Sequence, residues 1–148
     1  LDHSEFNAFY RNYVELVKPD QELLEALKDG KEKSLTFYSE IPEDKWRFAY
    51  QSGKWTILEV LQHVIDTERI FCYRALRIGR GDKTPLPGFE QDDYITPSRA
   101  NEKNMHTMLE EYSLVRDCTI NLFQKLLNKR NTTKFCYIRL QKFYISSI

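Results

Sequence analysis

The side chains best suited to metal or thiol chemistry are three histidines and three cysteines. They are His3, His63 and His106 together with Cys72, Cys118 and Cys136. A catalytic zinc or nickel site needs about three protein ligands and an open position, and imidazole suits both ions. The spacing provides neither a close histidine pair nor a CxxC pair. Because the cysteines are odd in number and widely separated, we expect buried, reduced thiols rather than a disulfide framework.

His63 is the best placed of the candidate metal ligands. It lies one turn from both Val60 and Thr67, on the inward side of an apolar stripe in a predicted helix. A single helical histidine is more often a packed, hydrogen-bonded residue than a metal ligand. Asp66 and Glu68 could be carboxylate partners, but charged residues on an amphipathic helix usually form its solvated face. We therefore expect both carboxylates to face water and retain His63 alone as a candidate ligand.

The helix that carries His63 is predicted over residues 56–78. Thr56 and Glu59 have the T-x-x-E spacing of a capping box, and Trp55 and Val60 stand where a hydrophobic staple would close the helix entry. We expect Trp55 to be buried beside the core. The apolar stripe of this helix is wide enough to require more than one neighbour.

Two further long helices are predicted, over residues 21–39 and 104–127, and a shorter amphipathic helix precedes Pro19. The third long helix carries an apolar seam in steps of three and four residues: Met105, Met108, Tyr112, Val115, Thr119, Leu122 and Leu126. The segment between Gly79 and Asn101 is rich in glycine and proline and lacks helical periodicity. We interpret it as a long loop at the edge of a functional pocket.

The composition narrows the choice of partner and compartment. Lysine plus arginine and aspartate plus glutamate both number 22, so the chain lacks the basic excess that phosphate-backbone binding favours. No stretch approaches the roughly 18 to 20 apolar residues of a membrane span, and the first five residues show no basic region followed by an apolar one. We therefore expect a single domain over 1–148, located in the cytoplasm, with no nucleic-acid or membrane partner.

Residues 53–69, GKWTILEVLQHVIDTER, resemble the signature helix of the DinB-like superfamily. The likeness continues through residues 74–77, 80–89 and 92–94. The resemblance implies an all-α, up-down-down-up four-helix bundle with a long crossover loop between the second and third helices, in a homodimer. It also implies a divalent metal, zinc or nickel, held by three histidines. One of these lies on the second helix and two lie on the fourth.

His63 matches the second-helix histidine of the DinB-like pattern, but nothing after Asn121 supplies the other two. His106 is the one possible substitute. We therefore expect metal binding to be weak or absent. The resemblance implies a metal-dependent thiol S-transferase or hydrolase that acts on a small-molecule or thiol substrate. The alternative is a non-catalytic bundle remnant or binding module.

The C-terminal segment differs in composition from the rest of the chain. No acidic residue follows Asp117, and residues 128–148 are basic and aromatic. We interpret 1–127 as family-like and 128–148 as a divergent or frame-shifted tail in place of the histidine-bearing fourth helix. Its basic and aromatic residues could contact nucleic acid. We favour a fourth, imperfect helix over about 133–148 that covers the core.

Overall fold

The computed structural model describes residues 22–127, and these are helical with no strand. The helices are α1 (Leu23–Ser39), α2 (Ile57–Gly79), α3 (Asp92–Ser98) and α4 (Met105–Leu127). Two short 3-10 turns lie at Glu43–Lys45 and Ala100–Glu102. The three predicted long helices are thus confirmed to within two residues at each end. The predicted N-terminal helix and the tail helix lie outside the described residues.

Helix α4 packs against both α1 and α2. The first turns of α2 and α4 share one apolar cluster, which also contains Trp46 and Tyr112. The last turns of the same two helices share a second cluster with Leu23 and Leu27 from the start of α1. Helix α2 therefore runs parallel to α4, and α1 runs antiparallel to it. The predicted seam of α4 faces these clusters, since its residues are buried or half-buried.

The predicted capping box is present at the start of α2. The backbone N–H of Glu59 donates to the Thr56 hydroxyl at 3.2 Å, and the Thr56 N–H donates to the Glu59 carboxylate at 2.7 Å. Helix α2 ends at Gly79, where a Cβ atom would lie only 2.5 Å from Cδ2 of the buried Leu126. The glycine therefore allows the last turns of α2 and α4 to approach closely.

Trp55 differs from the expectation. Trp46 is the buried indole, and its Nε1–H donates to the Ile41 carbonyl at 3.0 Å. Trp55 is only half-buried, and Val60 is 39% exposed. The expectation that Trp55 is buried beside the core is therefore wrong. Both side chains line an open cleft instead of the core.

Two other expectations are corrected. The segment from Gly79 to Asn101 is not a loop throughout, because α3 forms within it and is anchored by the buried Ile95. Its proline, Pro97, lies in the last turn of this short helix, which ends at the next residue, Ser98. Glu68 is buried instead of solvated, because Arg116 of α4 pairs with it inside the bundle. Neither difference is visible in helical periodicity.

Candidate functional site

An open cleft of about 660 Å³ lies where the end of α1, the α1–α2 connection, the start of α2 and the start of α3 meet. Five aromatic side chains line it: Phe37, Tyr38, Phe48, Tyr50 and Trp55. Phe48 is 55% exposed and Tyr50 is 73% exposed. The volume falls within the roughly 300 to 1,000 Å³ of small-molecule sites, which are also mostly apolar. We call this site the aromatic cleft.

The α1–α2 connection forms one wall of the aromatic cleft and is fixed by backbone hydrogen bonds. The Ile57 N–H donates to the Phe48 carbonyl at 3.2 Å, and the Leu58 N–H donates to the Trp46 carbonyl at 3.1 Å. These bonds use N–H groups of the first turn of α2, which have no partner inside the helix. Gly53 turns the chain with a φ of 75°, a conformation that L side chains rarely adopt. The aromatic wall is thereby held against the start of α2.

Asn101, at the end of the crossover segment, ties that segment to the same helix start. Its Oδ1 accepts from the Thr56 hydroxyl at 2.7 Å, and its Nδ2 donates to the Glu59 carboxylate at 3.0 Å. Its backbone carbonyl accepts from Arg47 Nε at 2.8 Å. One asparagine therefore joins the capping box, the α1–α2 connection and the crossover segment around the cleft.

His63 contacts Trp55, which lines the aromatic cleft, and is not itself one of the lining residues. The two ring centroids are 4.9 Å apart with an interplanar angle of 49°. The Thr67 hydroxyl lies 3.3 Å from Nδ1 and 3.5 Å from Nε2 of the imidazole. Burial lowers the pKa of His63 below its ordinary value, and the nearby carboxylates of Asp66 and Asp92 only partly oppose this. The imidazole is consequently neutral at neutral pH.

The described residues do not fit a three-ligand metal site. Between residues 22 and 127 there is no group of three histidine, cysteine, aspartate or glutamate side chains that could hold an ion. The nearest carboxylate on the same helix, Asp66, already accepts from Gln62 at 3.0 Å and from Arg69 at 3.3 Å. His106 is engaged elsewhere, with its ring edge-on to Trp46 at 5.9 Å. His63 as a metal ligand stays a prediction.

The thiols lie outside the aromatic cleft. Cys72 and Cys118 are free and line a groove of about 290 Å³ between α2 and α4. Burial raises the pKa of the Cys72 thiol above its ordinary value. Cys118 is exposed, so the expectation of a buried thiol is wrong at that position. Cys136 lies outside the described residues.

A family model described as the DinB superfamily matches residues 23–143. The chain belongs to the DinB superfamily. The match extends past Leu127, and the divergence that we proposed there lies outside the described residues. No curated protein matches this DinB-superfamily chain, and no solved structure matches it. Within the part that the structure describes, none of the helices is long and apolar enough to cross a membrane.

The sequence did not identify the aromatic cleft of this DinB-superfamily protein. Phe37 lies within the predicted first long helix, and Phe48 and Tyr50 lie in a connection without regular periodicity. A usable signal was present, because three aromatic residues in the short stretch between the Ile41–Pro42 break and Gly53 are more than a polar connection needs. Only the fold shows that Phe48 and Tyr50 line the cleft, whereas the third, Trp46, packs in the core.

Proposed function

We propose that this DinB-superfamily protein is a binding module whose aromatic cleft holds a small, largely apolar molecule with an aromatic group. The observation that carries the proposal is the lining of five aromatic side chains around a space of small-molecule size. Aromatic rings in a preformed site bind planar apolar groups by burial and by offset or edge-on ring contacts. The backbone hydrogen bonds that fix the α1–α2 connection also support the proposal. A wall that is already ordered loses little conformational entropy when a molecule binds.

The lining favours binding over catalysis. Its charged and amide side chains are Lys54, Gln91 and Asp92, and it includes no cysteine, serine or histidine. Among the residues that the structure describes, the lining therefore lacks the serine–histidine or cysteine–histidine pair that many nucleophilic mechanisms use. The charged residues are exposed, and they could orient a polar substituent of the bound molecule at the mouth of the cleft.

The second candidate is the activity that the family resemblance implies, a zinc- or nickel-dependent thiol S-transferase or hydrolase in a cytoplasmic homodimer. The family match over residues 23–143 supports it, together with the place of His63 on α2. Burial lowers the pKa of His63, and the neutral imidazole is the form that ligates metals. In this second proposal, residues 133–148 would form the fourth helix of an up-down-down-up bundle. The parallel arrangement of α2 and α4 is compatible with that topology.

The binding proposal is tested with N-phenyl-1-naphthylamine, a neutral aromatic probe whose fluorescence rises when it leaves water. We expect saturable binding to one site. Tyr50→Ala should weaken binding about threefold to tenfold, the equivalent of one aromatic contact of roughly 0.5 to 1.5 kcal/mol. Tyr73→Ala, which removes an exposed tyrosine far from the cleft on α2, should leave affinity unchanged. Equal losses in both variants, or no saturable binding, would contradict the proposal.

A further inference from the structure

We infer that His63 is a positioning residue for the aromatic cleft: its ring holds the Trp55 indole in the cleft wall. This inference rests on the proposed binding function and deepens it. It assigns to the histidine at the family's ligand position a role that depends on the shape of the ring and not on its nitrogen atoms.

The first support is the place of Trp55 in the chain. Its neighbour Thr56 is fixed by the capping box, but the indole is half-buried and contributes to the open wall of the cleft. A side chain in that position needs a backing group to stay in one orientation. His63 provides it, two turns along α2, with its ring centroid 4.9 Å from that of the indole. That distance is in the range of favourable aromatic pairs.

The second support is the position of the Thr67 hydroxyl. At 3.3 Å from one imidazole nitrogen and 3.5 Å from the other, it is almost equidistant from both. An oxygen on the in-plane axis of either nitrogen would be much farther from the other. The hydroxyl therefore supports the ring without an aligned hydrogen bond to one nitrogen. The contact with Trp55 and the contact with Thr67 are both contacts that another flat ring could make.

The test compares His63→Phe, which keeps a ring, with His63→Ala and His63→Gln, which do not. The dissociation constant of N-phenyl-1-naphthylamine and the tryptophan emission maximum are measured for each folded variant. Trp46 is buried and serves as a constant background in the emission. We expect His63→Phe to bind within about twofold of the starting protein with unchanged emission. His63→Ala and His63→Gln should bind at least about fivefold more weakly, with emission shifted to longer wavelength as Trp55 gains water contact.

Two results would overturn the inference. If His63→Phe loses as much affinity as His63→Ala, the nitrogen atoms matter and the ring alone does not suffice. If His63→Ala and His63→Gln bind normally, the histidine does not position Trp55 for binding. Failure of the starting protein to bind the probe would instead contradict the binding function itself. The emission comparison would then still show whether His63 holds the indole.

Discussion

Nε of Arg116 on α4 lies 2.7 Å from Oε1 of Glu68 on α2, and both side chains are only 4% exposed. The Nε–H points more directly to Oε2, to which it donates at 2.9 Å. Nη1 reaches the Leu27 carbonyl of α1 at 3.4 Å, and the guanidinium lies over the Tyr112 ring. One buried ion pair therefore connects the three long helices and fixes the register of α2 against α4.

Glu68→Gln should destabilise the protein strongly. The substitution removes the carboxylate that pairs with the buried Arg116 guanidinium, and breaking a buried pair in this way costs about 3 to 5 kcal/mol. The free energy of unfolding in a denaturant titration measures the loss. Asp117→Asn is the control, because it removes the exposed partner of Lys31 one residue along α4 and should cost less than about 1 kcal/mol. Similar small losses of unfolding free energy in both variants would mean that the Arg116–Glu68 pair contributes little to stability.

Thr56→Ala and Asn101→Ala should each destabilise the protein, and their effects should not add. Loss of a helix N-cap costs about 0.5 to 2 kcal/mol. The two side chains are hydrogen-bonded to each other, so a double-mutant cycle should give a coupling energy of at least about 0.5 kcal/mol. Thr56→Ser keeps the hydroxyl and is the control. Strict additivity would show that Asn101 is not part of the cap.

The capping box and the Arg116–Glu68 pair show what the sequence could and could not predict. The capping box is a local pattern, because Thr56 and Glu59 are three residues apart and their spacing alone specifies the hydrogen bonds. The burial of Glu68 depends on Arg116, 48 positions later, and no helical periodicity of α2 contains that partner. The burial of Trp46 likewise depends on packing against residues of α2 and α4, and the α4 residues are far away in the sequence.

Acidification should destabilise the protein through His63. Its pKa is lowered on folding, so between the folded value and the ordinary 6.5 the unfolded chain binds more protons. The contribution of neutral His63 to the free energy of unfolding is complete above pH 6.5. It is lost as the pH falls toward the pKa of His63 in the folded protein. The unfolding midpoint should therefore drop more between pH 7.5 and 5.5 in the starting protein than in His63→Phe. Identical drops would show that His63 is not held neutral.

The purified protein, dialysed without chelator, should contain well below one equivalent of zinc or nickel by elemental analysis. Three protein ligands are the usual requirement, and the described residues offer no such group. His63→Ala should leave this low content unchanged. Near-stoichiometric metal that disappears in His63→Ala would favour the metal-dependent transferase or hydrolase over the binding module.

The most direct test of the aromatic cleft uses the two indole N–H signals in a two-dimensional ¹H–¹⁵N NMR spectrum. Trp55 lines the cleft, whereas the Trp46 indole is buried and hydrogen-bonded to the Ile41 carbonyl. Titration with 2-naphthol, a more soluble aromatic probe, should shift the Trp55 signal in a saturable manner and move the Trp46 signal much less. A Trp55 signal that stays in place at saturating probe, or a shift confined to Trp46, would contradict the assignment of this cleft as the binding site.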